Sequence, residues 1–386
     1  MIEGLDGYKI FNSRGEETLL IQLVTDKGKY FGSAPSGKSK GKHEAHSISI
    51  EKSLRVLRRI KKNFIGMEED DYDVLDNLIA DLAGDNFEKI GSHLGFALTS
   101  ALMKSSFDND PWKHFDNISF PYPIGNVIGG GVHGGNTDIQ EFHVIPKRAT
   151  NMEEAVEINL KIYNRIKKDL KKSRKFIGKN DENAWISDMN DKETLDYLAK
   201  VCEEYGVEMG VDVAATGLYK GNYYDYKNIG KKVGASEYVD FISDMIEIYD
   251  LFYVEDPFHE EDFDSHRILR EKYPDKVICG DDLFVTNIKR LKKGIGEGSC
   301  NSILIKPNQI GTIGSAIDTA KYGMENKYIP VLSHRSGETN DWIIADLSLG
   351  LSPLIKTGVA GGERLAKLNR LLYLWGKVKD PKMADL

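Results

Sequence analysis

The chain has 386 residues, with 52 basic and 60 acidic side chains, a formal net charge of −8, 40% hydrophobic and 29% charged residues. Such a length holds two domains, or one large barrel with a small partner, and the composition excludes a disordered chain. The acidic balance argues against nucleic acid or an anionic membrane as the main partner.

Residues 18–24 and 29–32 flank a turn at Asp26-Lys27-Gly28 and read as part of a β-meander. Helical periodicity follows over 43–61, 71–83 and 87–106. Strands followed by helices predict a small α+β domain over residues 1–118. Pro121, Pro123 and Gly129-Gly130-Gly131 mark the change to a second pattern. Apolar strands at 124–128, 140–145, 208–213, 251–255, 277–281, 302–306, 329–332 and 353–356 then alternate with helices such as 152–170, 192–205, 236–249, 263–272, 312–322 and 363–374. This alternation predicts an α/β class chain whose residues 119–386 close into an eight-stranded βα barrel. A doubly wound open sheet is the weaker alternative, because no Gly-rich dinucleotide fingerprint follows an early strand. The three cysteines, Cys202, Cys279 and Cys300, fit neither a disulfide framework nor a CxxC metal site. With no signal-peptide pattern and no run of about 18 apolar residues, a cytoplasmic protein without a membrane span is expected.

The residues that end the strands carry the chemistry. Strand 208–213 reaches Asp212, 251–255 reaches Glu255, and 277–281 reaches Asp281 and Asp282. The following strands lead to Lys306, to Ser333-His334-Arg335, and to Lys356. In a barrel these ends meet on one face, which bears the active site. A single acid there is as readily a capping residue; three in register repel one another unless a cation joins them. Carboxylates without His or Cys suit Mg²⁺ better than Zn²⁺. A lysine beside a dication and a second cation has a lowered pKa and can act as a general base. Surface lysines snorkelling from the barrel rim are the alternative.

Residues 32–39 match the phosphate-binding loop G-x-x-x-x-G-K-[ST] letter for letter. Their strand is the second arm of a hairpin, and Lys40-Gly41-Lys42 makes a poor first helical turn. A nucleotide hydrolase is therefore disfavoured.

The ordered motifs resemble those of the enolase family over nearly the whole chain. Asn12-Ser13-Arg14-Gly15 is similar to the family's DSRG, and Pro35 to Gly41 to its mobile loop PSGASTG, with Lys38 in place of Ala. Asn126 to His133 with Gln140-Glu141-Phe142, Val254 to Phe258, and Gly280 to Leu283 continue the series. Lys306 with Asn308 to Thr312, Ser333 to Thr339, Ile355 to Gly358 and Glu363 to Asn369 complete it.

The resemblance implies a reversible, Mg²⁺-dependent dehydration of 2-phosphoglycerate to phosphoenolpyruvate. It implies a first Mg²⁺ on Asp212, Glu255 and Asp281, and a second held with the help of Ser39. Lys306 would remove the C2 proton, and Glu182 would protonate the departing C3 hydroxyl. Lys356 would stabilise the enolate carboxylate. His133, Gln140, Glu141 and His334 would shape the leaving-group side, and Arg335 and Ser336 would hold the phosphate. A homodimer or higher oligomer is implied as well. The family's GDEGG is Asn180-Asp181-Glu182-Asn183-Ala184 here. Asn183 tolerates the left-handed conformation that glycine supplies, whereas Ala184 does so poorly. The altered loop and the added Lys38 and Lys40 leave open a relative acting on another (phospho)carboxylate. A non-catalytic binding protein of enolase descent is a further alternative.

Overall fold

The computed structural model describes residues 1–38 and 41–386, with the side chains of His133 and Ile229 left out of the description. Strands β1 (Ile2–Phe11), β2 (Glu17–Thr25) and β3 (Gly28–Ser33) form an antiparallel meander. Helices α1 (Ile50–Ile60) and α3 (Ser92–Ser106) pack on it, and α2 (Tyr72–Ala83) packs against α3. Helix α3 is buried over most of its length, wedged between the meander and the barrel. Gly32 permits that approach, since a Cβ there would stand 2.1 Å from the Ala97 carbonyl oxygen. The helix expected over 43–61 starts only at Ile50, where the Ser49 side chain accepts from the Lys52 amide. The preceding segment instead spans to the barrel, with Ala45 N donating to Gln309 O at 2.7 Å.

The second part begins with β4 (Tyr122–Gly129) and β5 (Glu141–Ile145). Helix α4 (Met152–Lys172), the hairpin β6 (Phe176–Lys179) and β7 (Trp185–Ser187), and α5 (Asp191–Tyr205) follow. Then come β8 (Glu208–Asp212), the hairpin β9 (Tyr223–Tyr226) and β10 (Lys231–Gly234), and α6 (Tyr238–Tyr249). The chain continues through β11 (Leu251–Glu255), α7 (Phe263–Lys272), β12 (Val277–Gly280), α8 (Ile288–Glu297) and β13 (Ser302–Ile305). It ends with α9 (Pro307–Ile310), α10 (Ile313–Glu325), β14 (Ile329–Ser333), α11 (Ile343–Leu351), β15 (Leu354–Lys356) and α12 (Gly362–Lys377).

Strands β4, β5, β8 and β11 to β15 pair in order, and β15 closes on β4. All eight expected barrel strands are present, and buried strands such as β13 read as continuous apolar runs. One step departs from simple βα alternation. Strand β5 is antiparallel to both β4 and β8, with Glu141 opposite Asp212. The Gly-rich link between β4 and β5 is too short for a crossover helix, so the chain turns straight back. The reversal has a functional result: the first residue of β5, Glu141, lies at the same barrel end as the last residues of the parallel strands.

The two parts are joined by buried polar contacts. Asp76 on α2 caps the start of α10, accepting from Gly314 N at 3.0 Å and Thr312 Oγ1 at 3.0 Å. Lys104 on α3 pairs with Asp341 at 2.6 Å, and both side chains are buried. Among the described residues no helix is long and apolar enough to cross a membrane.

Candidate active site

The strand ends open into a cavity of about 260 Å³, whose lining includes Glu141, Glu182, Asp212, Lys306, Arg335 and Lys356. Glu255 lies beneath it, fully buried. Lys356, last residue of β15, reaches back into the barrel. Its Nζ stands 2.9 Å from both Glu255 oxygens, 3.1 Å from Glu141 Oε2 and 3.3 Å from Asp212 Oδ2. Burial, against the pull of Lys356, pushes Asp212 up to about 6. Burial and the neighbouring Asp212 push Glu255 up to about 7. Tyr253 donates to Glu255 Oε2 at 2.7 Å, and the His143 ring meets Glu141 Oε2 at 2.8 Å. Burial, then Lys356, holds His143 down at about 3, so its ring is neutral. Gln140 Nε2 donates to Asp212 Oδ2 at 3.3 Å.

Lys306 pairs with Asp281. Burial alone would raise Asp281, but Lys306 outweighs it and holds the carboxyl below the ordinary range. Burial would lower Lys306, yet Asp281 outweighs it and raises the lysine.

The acidic residues do not group quite as expected. Ligand atoms of Asp256, Asp281 and Asp282 all lie within 4.8 Å of one another, whereas Lys356 binds Asp212 and Glu255. Asp256 already has a structural task, accepting from Asp281 N at 2.9 Å and Asp282 N at 2.7 Å. The site nevertheless suits a cation. Among the described residues, buried carboxylates from Glu141, Asp212, Glu255 and Asp281 converge on two ammonium groups, and the carboxylates offer oxygen donors.

Glu182 sits in a loop braced from several sides. Asn180 Oδ1 accepts from Glu182 N at 3.0 Å and Ala184 N at 2.9 Å, making the tight turn without the family's glycine. Asn183 takes the left-handed conformation, with φ 66°, and Ala184 is spared it. The strain expected at Ala184 is thus absent. Asn126 Nδ2 donates to Glu182 Oε2 at 3.3 Å, and His334 Nε2 lies 3.7 Å from the same oxygen.

Arg335 faces Glu44 in a two-pronged pair, Nη2 to Oε1 at 3.0 Å and Nη1 to Oε2 at 3.3 Å. It also donates to Asn308 Oδ1 at 3.0 Å. Ser336 Oγ accepts from Lys38 N and from Arg14 Nη1, each at 2.8 Å. Ser39 lies outside the described residues, and so does the side chain of His133. The sequence reading missed Asp256, Glu44, Tyr253 and the orienting role of His143. Only for His143 was there a signal, its place in Gln140-Glu141-Phe142-His143.

A closed βα barrel with acids, lysines and an arginine gathered at its strand ends defines a TIM-barrel enzyme. Residues 2–115 match the family model "Enolase, N-terminal domain" and residues 117–382 match "Enolase, C-terminal TIM barrel domain". An enolase of Methanosphaera stadtmanae is 40% identical, the alignment covering 100% of this chain and 99% of that protein. An enolase of Archaeoglobus fulgidus is 38% identical, covering 99% of each. One from Natronomonas pharaonis is 40% identical over 95% of this chain and 96% of its own. The chain belongs to the enolase family.

Proposed function

We propose that this chain interconverts 2-phosphoglycerate and phosphoenolpyruvate, with Mg²⁺ as cofactor. The observation that carries the reading is a single cavity lined by Lys306, Glu182, Arg335 and Lys356: a base, an acid and two anion-holding cations. Lys306 takes the proton from C2. The electron pair of the broken C2–H bond passes into the carboxylate as an enolate, then becomes the C2–C3 double bond as the C3–oxygen bond breaks. Glu182 gives a proton to the departing hydroxyl, which leaves as water. The acidity problem is severe, since losing a proton beside a carboxylate places two negative charges on adjacent atoms. Lys356 stands where it can face that charge.

Asp212, Glu255 and Asp281 would hold one Mg²⁺, and Ser39 would help hold a second, and the ions would supply positive charge to the carboxylate of the enolate. Asp281 pairs with Lys306, and an ion held by the same carboxylate would weaken that pairing and leave the base freer to take the proton. Arg335 and Ser336 take the phosphate, for which Arg335 exchanges part of its pairing with Glu44. Gln140, Glu141, His133 and His334 surround the leaving oxygen. The small domain, residues 1–118, supplies the covering loop, and residues 119–386 supply the barrel.

A homodimer or higher assembly in the cytoplasm completes the reading. Tyr8, Phe11 and Phe31 expose apolar surface on the meander, in support of such an assembly. One observation favours a second reading, a different (phospho)carboxylate substrate: Lys38 lines the cavity and adds positive charge to its rim. Turnover of a panel of phosphorylated and unphosphorylated hydroxy acids separates the two. The first reading predicts that 2-phosphoglycerate is preferred, and strict dependence on added Mg²⁺.

A further inference from the structure

Arg364, at the start of α12, is fully buried, yet no step above uses it. Its guanidinium binds His334, Arg335 and Ser336, which line the cavity. Nη1 donates to the Arg335 carbonyl at 2.6 Å, and Nη2 to the Ser336 carbonyl at 2.7 Å and the Asp181 carbonyl at 3.2 Å. Nε lies 3.3 Å from Glu363 Oε1. The remaining contact is Nη1 to His334 Nδ1, at 2.8 Å.

A guanidinium has only donors and keeps its proton at any pH a protein survives. Nδ1 must therefore be the acceptor in that contact. In a neutral ring the proton then resides on Nε2. Burial, then the charge of Arg364, holds His334 down at about 4, so the ring is neutral near pH 7. Nε2 makes no hydrogen bond to the described residues and faces Glu182 Oε2 from 3.7 Å.

We propose that Arg364 is a positioning residue that fixes His334 as the Nε2–H tautomer, making it a hydrogen-bond donor, not a proton acceptor, at the leaving-oxygen side of the cavity. The proposal rests on the enolase reading for what the donor serves. Two consequences follow. His334 cannot share the acid role by relaying a proton through Nε2, so Glu182 carries it alone. The Nε2–H also points toward Glu182 and any oxygen bound beside it, where a donor stabilises developing negative charge. By gripping three carbonyls from two loops, the same guanidinium keeps His334, Arg335 and Glu182 in fixed relation.

The test is nitrogen-15 spectroscopy of histidine-labelled full-length protein, with the His334 signals assigned by their loss in His334→Gln. The expected spectrum has a protonated Nε2 and a bare Nδ1. Arg364→Met should mix the tautomers and lower kcat for 2-phosphoglycerate at least about tenfold, with KM changed less than about threefold. Arg364→Lys, which still offers a donor, should restore the tautomer and most of kcat. A protonated Nδ1 in the wild type, or an unmixed Nε2–H tautomer in Arg364→Met, would overturn the proposal. Should Arg364→Met not fold, the wild-type spectrum and Arg364→Lys decide alone. Wild-type protein that shows the Nε2–H signal but does not turn over 2-phosphoglycerate would support the tautomer and refute the substrate.

Discussion

The ammonium of Lys38 stands 3.0 Å from the carboxylate of Asp181, joining the segment that follows β3 to the barrel loop that carries Glu182. The backbone on the same side is fastened too, since Ser36 and Gly337 exchange amide–carbonyl bonds at 2.7 and 2.8 Å. The pair is about 40% exposed on both sides, so its coupling should not exceed about 1 kcal/mol. Lys38→Ala and Asp181→Asn should each raise KM about two- to fivefold, and together no more than either alone. The difference from wild type should shrink with added salt. Steady-state kinetics of the four proteins at low and high salt checks this.

Asn180 replaces a glycine of the family by a different device, a side-chain oxygen that accepts two amides of its own turn. Asn180→Ala leaves those buried donors unmatched, a loss of about 1–3 kcal/mol. Because Glu182 rides on that turn, kcat should fall more than KM rises. Denaturant unfolding alongside kinetics separates the two effects; unchanged kcat would show that the turn keeps its shape without the side chain.

Lys104 and Asp341 bridge the two domains inside a buried interface, where Asp341 also accepts from Ser33 N at 2.9 Å. Lys104→Met strands a buried carboxylate and should cost about 3–5 kcal/mol. Lys104→Met with Asp341→Leu should recover most of that loss. Thermal unfolding of the single and double variants measures both.

Asp191 opens α5 with its carboxylate accepting from Asp138 N and Ile139 N at 2.9 and 3.0 Å. Burial nevertheless pushes it up to about 7. A raised carboxyl binds its proton more tightly in the folded chain than in the unfolded one. Between about pH 4 and 7 the folded state holds the extra proton, so stability falls as pH rises through that window. Asp191→Asn keeps the acceptor and removes the charge. The variant should lose less stability than wild type between pH 5 and 8, by up to a few kcal/mol. Urea unfolding at both pH values tests the sign.

The barrel was legible because its strands are apolar runs that stop at charged residues, a pattern that survives without any tertiary information. The positions of Asp212, Glu255, Asp281, Lys306 and Lys356 at or beside strand ends could be read for the same reason. The direction of β5 was not legible, since strand periodicity is identical in either sense and only the short Gly-rich link betrays the reversal. The helix start at Ile50 was blurred by apolar residues that pack on the barrel from an extended segment. Asp256, Glu44 and Arg364 were out of reach because their meaning lies in partners far along the chain: Asp282, Arg335 and His334. The Ala184 strain failed as an expectation because Asn180 rebuilt the turn one residue set earlier.

The activity proposed for the cavity, a lysine base, a carboxylic acid and a metal set acting together on 2-phosphoglycerate, is open to direct measurement. The decisive experiment follows the absorbance of newly formed phosphoenolpyruvate with Mg²⁺ and then with excess chelator. We expect a signal that the chelator abolishes and that Lys306→Ala and Glu182→Gln each reduce by at least about a hundredfold. A folded wild-type protein that yields no phosphoenolpyruvate, or one whose rate survives the chelator or the loss of Lys306, would contradict it.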